Sequence, residues 1–550
     1  QVLLKVPFSM SSLIVALLYL YSTLSGGFAD AQCGQRNPSN GQCVRTSVQN
    51  FQSLIDGRPQ ATDEPATLVQ SRLLLRDAYP QHASQSGNQT SDKLLTTIAP
   101  YKGSTLISAT PVSQVQVEVV KDLVMGQLGI DAWTERIGLH LPATLLIPKG
   151  GLATVASAMR DAGMEPEVLI EDIAKKLQYD HEVNQMQVKK GIIGSYPRLD
   201  EIYRWCDSLA NQYSFVSVFS IGTTHESREI KVVKIARRSG LPIVLIECGT
   251  HAREWISVAS CLWHINELLT SSEPSVQELS EKVEFQIIPC HNPDGYEWTH
   301  LGDRLWRKNR NPNAGHDCKG VDLNRNWDSR WGTTKAVSFH KCNEIYIGTE
   351  PFSEPETKAL SEHMLWEKER IKAFIEFHSF GQHWLVPPGS GPKPADFNRL
   401  QEVGEEAAWK MEQVAGSVYD AGPPKDIMYA FSGGSLDWSH DSLKGPGIKY
   451  TYTVELRPMS HSTSGFQLPQ REIPEASKEA FAGLKHVAQV VMKENAGASP
   501  SLLPAGQPTA VPAFSARTPE PSLAATAAPT PWPTPAPWPT SAPWPTPALD

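Results

Sequence analysis

Thr250-His251-Ala252-Arg253-Glu254-Trp255 follows the apolar run Pro242-Ile243-Val244-Leu245-Ile246-Glu247, with only Cys248 and Gly249 between them. The run reads as a strand, and the apolar spacing from about Trp255 to Leu269 reads as a helix. A His and a Glu three positions apart, just past a strand, meet on one face as a helix begins. Zinc takes neutral imidazole and carboxylate ligands, and hydrolytic sites typically use three protein ligands and keep a fourth position for water. The third ligand must come from elsewhere. His378, in Phe377-His378-Ser379, is the candidate, because it ends the strand-like run from Ile371 to Phe377. Glu455 lies near the end of another such run, Ile448 to Leu456. Open α/β sheets place their sites beyond the carboxyl ends of strands, so convergence is geometrically reasonable. Taken singly, a His-x-x-Glu and a strand-end His are both common structural features.

Outward from this stretch, Leu199 to Asn211 reads as a helix, and Glu229 to Val233 and Val283 to Ile288 read as strands. The alternation predicts an α/β sheet with helices on both faces over residues 191–495. Before it, Val115-Gln116-Val117-Glu118-Val119 alternates like a strand, Leu152 to Ala162 reads as a helix and Glu167 to Ile170 as a strand. This predicts a small α+β unit over 113–190. Lys189-Lys190-Gly191 closes it in a polar stretch suited to proteolytic nicking. Residues 32–112 show little periodicity and read as a low-complexity spacer, in which Cys33 and Cys43 can close a small loop. From 496 to 550 the chain is rich in Pro, Ala, Thr and Ser, and Pro-Trp-Pro-Thr recurs from Pro531, Pro537 and Pro543. That predicts a disordered, extended stalk. At the other end, Met10 reads as an initiator, followed by the apolar run Leu13 to Leu20 and by Ala29-Asp30-Ala31. This is a signal-peptide layout over residues 1–31. The run is short for a span of about 20 residues, so a secreted, extracellular chain with no membrane anchor is expected.

A chain of 550 residues exceeds one ordinary core, so two or more domains are expected. A net charge of -9 gives no basic footprint for nucleic acid. None of the eight cysteines lies in a C-x-x-C pair, which argues against a thiolate zinc site. In a secreted chain some should pair as disulfides. Asn88-Gln89-Thr90 is a glycosylation sequon.

The neighbours of the opening stretch add weight. After Thr250-His251-Ala252-Arg253-Glu254-Trp255 come Asn292-Pro293-Asp294-Gly295-Tyr296, Arg304-Leu305-Trp306-Arg307-Lys308 and Val321-Asp322-Leu323-Asn324-Arg325-Asn326-Trp327. His378-Ser379-Phe380, Ser432-Gly433-Gly434-Ser435 and Val454-Glu455-Leu456-Arg457 follow in that order. With these motifs the region 191–495 resembles the pancreatic-type carboxypeptidase A/B family of zinc metallocarboxypeptidases. Residues from about 113 to 180 are similar to that family's inhibitory propeptide. The resemblance implies a mixed, mainly parallel eight-stranded sheet flanked by helices, preceded by a small α+β ferredoxin-like propeptide domain. It implies one zinc ion, held by His251, Glu254 and His378. It implies Glu455 as the general base and Arg307 as the arginine that stabilises the oxyanion. Arg325 and Asn324 then grip the substrate's free carboxylate, Tyr429 closes over the bound terminus, and Arg253 contacts the substrate further up the chain. Cys318 with Cys342, and Cys248 with Cys261, resemble family disulfides. Cys206 and Cys290 have no partner by resemblance and are expected as buried free thiols.

B-type members carry an Asp two residues after the second Gly of Ser-Gly-Gly-Ser. Leu436 stands there in this chain and offers no countercharge. Leu385, Met428 and Phe431 align as further apolar lining, and Phe380 replaces a common tyrosine. The expectation is a zymogen that removes aliphatic or aromatic C-terminal residues, with Phe431 narrowing the pocket. Its partners are peptides or proteins with a free C-terminus and an activating trypsin-like protease, and a monomer is the default. Three other readings compete, and one of them, a secreted mucin-like structural protein suggested by the tail, would leave the catalytic motifs unexplained. A catalytically silent peptide-binding protein on the same fold would lack a ligand or the base, and none is missing. A zinc endopeptidase has no need of the Asn324–Arg325 clamp, and no His-Glu-x-x-His motif is present.

Overall fold

The computed structural model describes residues 97–496, apart from 127, 135, 136, 314, 315 and 461. The expected signal region, most of the spacer with Cys33, Cys43 and the sequon, and the proline-rich tail lie outside the described residues.

A small domain comes first. It contains β1 (Thr105–Ala109), α1 (Gln114–Met125), β2 (Asp131–Ala132), β3 (Ala143–Ile147), α2 (Leu152–Asp161) and β4 (Glu167–Ile170). Its sheet has the order β2-β3-β1-β4, with every neighbour antiparallel. This βαββαβ order is the ferredoxin-like arrangement. Two sequence expectations change here. Val115–Val119 is helix, not strand. Ser113 caps α1 by accepting from the Gln116 amide. Val117 and Val120 are buried while Val115 is exposed, so the helical spacing of three, not the alternation, selects the inward face. The domain also begins before 113, because β1 is an interior strand of its sheet. β1 does not alternate, because both its faces are covered. Ile107 packs with Val120, Val155 and Met159 on one side, and Leu106 with Leu305, Phe380 and Phe466 of the larger domain on the other.

α3 (Ile173–Val188), capped by Asp172, leads out of the small domain, and Lys189 and Lys190 follow it exposed. α4 (Leu199–Gln212) opens the larger domain. Then come β5 (Val216–Thr223), β6 (Glu229–Ile235), β7 (Ile243–Cys248), α5 (Trp255–Thr270), α6 (Pro274–Lys282), β8 (Glu284–Ile288), α7 (Pro293–Leu301) and α8 (Pro355–Trp366). β9 (Ile371–Gly381), β10 (His383–Leu385), α9 (Phe397–Ala415), β11 (Asp420–Gly422), α10 (Pro424–Ile427), α11 (Ser435–His440), β12 (Tyr450–Met459) and α12 (Ile473–Glu494) complete it.

The eight-stranded sheet has the order β11-β10-β12-β9-β7-β8-β6-β5. Its middle block, β12-β9-β7-β8, is parallel, and β10, β6 and β5 pair antiparallel with their inner neighbours. β7 is buried along its whole length because helices cover both faces. Val244 and Ile246 join the core under α5, α9 and α12, and Ile243 and Leu245 join the one under α8 and α11. Disulfides link Cys248 to Cys261 and Cys318 to Cys342, and Cys206 and Cys290 are free and buried. Among the described residues no helix is long and apolar enough to cross a membrane.

Candidate metal centre and substrate cleft

Because β7, β9 and β12 are parallel neighbours, their carboxyl ends open on one edge of the sheet. Gly249 turns the chain off β7 with φ +73°, and a Cβ there would lie 2.9 Å from Val258 Cγ2 and 3.2 Å from Cys290 Cα. Only glycine fits this turn without strain, and it delivers His251 and Glu254 to the edge. His378 sits within β9, opposite Glu455 of β12 in the ladder register.

His251 Nδ1 lies 2.8 Å from Glu254 Oε1, and His378 Nδ1 lies 3.0 Å from Glu254 Oε2. The two Nδ1 atoms are 3.1 Å apart, and all three side chains are buried. The outer ring nitrogens have their own carboxylates. His251 Nε2 is 3.0 Å from Asp322 Oδ1, and His378 Nε2 is 3.3 Å from Glu376 Oε2. Such outer partners take the Nε2 proton and leave each Nδ1 lone pair facing inward. Two inward lone pairs and a carboxylate, buried face to face, are a donor set that fits zinc.

Asp322 also organises the neighbouring cation. Arg307 donates from Nε and Nη2 to Asp322 Oδ2 at 3.1 and 2.9 Å, and its Nη1 is 4.0 Å from Glu254 Oε1. Burial alone would raise the Asp322 carboxyl, but Arg307 and His251 hold it well below the usual range. Burial would likewise lower Arg307, but Asp322 and Glu254 keep it firmly protonated. Arg304 is turned elsewhere. It donates to the carbonyls of Arg253 and Phe466, and its guanidinium lies 3.6 Å from the centre of the Trp255 ring.

Arg325 is aimed by three contacts: Nη1 to Asn324 O at 2.7 Å, Nε to Ala336 O at 2.9 Å and Nη2 to Tyr429 Oη at 3.2 Å. Gly433, with φ +74°, supports this loop, since a Cβ there would meet Arg325 O at 2.4 Å. Asn324 Oδ1 accepts from the Ser435 amide at 3.1 Å, which turns its Nδ2 towards His378. Glu455 and Thr453, two apart on β12, line the same cleft as Arg307, Asn324, Arg325 and Tyr429. Leu385, Met428 and Phe431 form an apolar wall, and Leu436 is fully buried in the same cluster.

Residues 202–483 match the zinc carboxypeptidase family, and residues 107–180 match the carboxypeptidase activation peptide. The chain belongs to the zinc carboxypeptidase family. It is 32% identical to carboxypeptidase A2 of Mus musculus over 401 residues, covering 71% of this chain and 94% of that one. It is 41% identical to a zinc carboxypeptidase of Simulium vittatum over 286 residues, covering 52% of this chain and 92% of that one. The crystal structure of carboxypeptidase A from Helicoverpa armigera superposes with a TM-score of 0.65 at 27% identity, covering 72% of this chain and 98% of that one. The chain is therefore a zinc-dependent exopeptidase of peptides that carries its own activation peptide.

In this carboxypeptidase the activation peptide reaches into the cleft. Ala132, Trp133 and Thr134 line the cavity that also contains His251, Arg307 and Glu455. Asp131 Oδ2 accepts from Arg253 Nη1 at 2.8 Å and from Trp133 Nε1 at 3.0 Å. Trp133 meets Phe466 edge to face, with ring centres 5.8 Å apart, and the Arg253 guanidinium lies 4.0 Å from the Phe466 ring. Sequence reasoning missed this segment. It also missed the carboxylates behind the carboxypeptidase's two histidines, although each had a signal. Asp322 shares a motif with Asn324 and Arg325, and Glu376 stands two residues before His378 on one strand. The need of a metal-binding ring for an outer acceptor would have singled both out.

Proposed function

We propose that this carboxypeptidase zymogen is secreted and, once freed of its activation peptide, removes aliphatic or aromatic residues from peptide C-termini. The observation that carries the reading is the pairing of a cationic, donor-rich group with an apolar wall. Arg325, Asn324 and Tyr429 line the cleft beside Leu385, Met428 and Phe431, and the Arg325 guanidinium lies 5.1 Å from the centre of the Phe431 ring. Leu436, buried in that cluster, adds no countercharge for a basic side chain.

His251, Glu254 and His378 hold the zinc. When bound, zinc supplies Lewis acidity that makes water a better nucleophile and the scissile carbonyl a better electrophile near neutral pH. Arg325 grips the terminal carboxylate through two parallel N–H donors. Asn324 adds an amide donor, and Tyr429 closes over the terminus. The last side chain then enters the apolar pocket and brings the scissile bond between Arg307 and Glu455. Glu455 removes a proton from the attacking water and returns it to the departing amine. Arg307, held on Asp322, stabilises the negative charge that develops on the carbonyl oxygen. Arg253 contacts residues further up the substrate once Asp131 has left it.

Lys189-Lys190, exposed just beyond α3, supports cleavage there by a trypsin-like protease, which places the mature start near Gly191. Two disulfides and the apolar Leu13 to Leu20 run support secretion. The test is release of the last residue from peptides ending in Phe, Leu, Lys or Glu after mild trypsin treatment. Release of Phe or Leu is expected. It should stop with a zinc chelator and with C-terminally amidated peptides. Glu455→Gln should lower kcat by about 10²–10⁴-fold with zinc retained. Preferred release of Lys would overturn the pocket assignment.

A further inference from the structure

A second group of metal-ligating side chains lies apart from the catalytic set. His225 sits in the turn between β5 and β6, Glu354 is the N-cap of α8, and Glu356 is in the first turn of that helix. One ligand atom from each lies within 4.8 Å of the other two. His225 Nε2 is 3.1 Å from Glu354 Oε2. Both glutamates are buried, at 1% and 0% exposure, whereas the His225 side chain keeps 25%.

The carboxylates are held in place from behind. Asn309 Nδ2 donates to Glu354 Oε2 at 2.7 Å and to Glu356 Oε2 at 2.9 Å. Asn311 Nδ2 reaches both oxygens of Glu354 at 2.9 Å, and Ser353 Oγ donates to Glu354 Oε1 at 2.7 Å. The other Glu356 oxygen, Oε1, is buried and has no hydrogen-bond partner. A buried acceptor left open costs about 1–3 kcal/mol, and more for a charged group. Burial pushes the Glu356 carboxyl up to about 7, so a cation beside its open oxygen would favour the ionised form.

We propose that His225, Glu354 and Glu356 form a second binding site for a divalent cation of the zinc type. Glu356 Oε1 supplies the open carboxylate position, Glu354 the second oxygen and His225 the nitrogen. An imidazole in the set favours zinc over calcium or magnesium, which take oxygen ligands. Asn309, Asn311 and Ser353 serve as the outer partners that orient ligating carboxylates. The ion enters from the surface past the His225 ring. It ties the β5–β6 turn to the start of α8 and to the segment carrying Asn309, two residues beyond Arg307. Its role is therefore structural, and the peptidase chemistry stays with the first site.

The experiment measures the zinc content of the full chain by atomic emission, after dialysis against a buffer of fixed micromolar free zinc. Native protein should hold two zinc ions per chain and His225→Ala one. After activation both should show the same chelator-sensitive release of C-terminal residues. Added zinc should raise the thermal midpoint of the native protein and leave that of the variant unchanged. Glu356→Gln, nearly isosteric, is the second variant and should also hold one ion. A native protein with a single zinc would overturn the proposal, because His225 would then simply pair with Glu354 as an imidazolium. Two ions retained in both variants would overturn it as well.

Discussion

Phe431 lines the apolar wall of the cleft that is proposed to receive the substrate's last side chain. Its ring lies 5.1 Å from the Arg325 guanidinium, and a Cβ built on Gly434 would meet its Cε2 at 2.6 Å. A Cβ on Gly389 would come within 3.2 Å of the same ring. Two glycines thus make room for the ring, and the ring takes volume from the pocket. Phe431→Ala should therefore raise kcat/KM for peptides ending in Phe relative to those ending in Leu, by about tenfold or more, since pocket contacts of this size discriminate by roughly 1–3 kcal/mol. The ratio of kcat/KM for the two peptides checks it, and an unchanged ratio would show that another residue limits the pocket. At this scale the sequence was informative where spacing carries the chemistry. His251 and Glu254 are three apart beside a strand, and the structure brings His378 to them. Asp322 and Glu376 stand close to motif residues in the sequence, but their roles lie in how β9 and the 322–325 turn approach the rings.

The β2–Trp133 element shows how a short segment can silence a large site. Its anchor is the Asp131–Arg253 pair, in which the arginine side chain is 6% exposed and the aspartate 23%. A hydrogen bond to a charged group of this kind contributes about 1.5–3 kcal/mol. Asp131→Ala in the uncleaved chain should therefore raise basal peptidase activity roughly tenfold to a hundredfold, as the segment leaves the cleft more often. Activity after full trypsin activation should not change, because Asp131 is then removed. Equal basal activity in both chains would mean that Trp133 and Phe466 hold the segment unaided. The elements of this small domain were the least legible part of the described chain. α1 offers valines at both two- and three-residue spacing, so its sequence satisfies either period until Ser113 caps it. β1 is covered on both faces and gives no alternation to read. In the larger domain, β7 was readable because six consecutive buried residues leave little alternative to a central strand.

At the scale of the whole molecule, the main sheet and α12 close over a histidine that can make no use of its charge. His264 of α5 is fully buried, with Phe377 and Phe481 ring centres at 4.9 and 5.9 Å, and neither ring nitrogen has a hydrogen-bond partner. Burial pulls its pKa down from 6.5 to about 3. The folded chain therefore keeps His264 neutral in a range where the unfolded chain binds a proton. Below the unfolded pKa the unfolded state holds more protons, so stability falls as pH falls. The contribution is fully present above about pH 6.5 and is lost progressively towards pH 3. At pH 5 the gap of about 1.5 pKa units corresponds to about 2 kcal/mol. His363, pulled down to about 4 by burial, acts in the same direction and is common to any His264 variant. His264→Leu should thus be neutral or slightly stabilising at pH 7, since it also removes two unsatisfied polar atoms. Between pH 7 and pH 5 it should lose about 2 kcal/mol less than the native chain. Urea unfolding of both proteins at the two pH values reads the difference. Parallel losses would mean that the acid sensitivity of the fold lies elsewhere, with His363 the next position to replace.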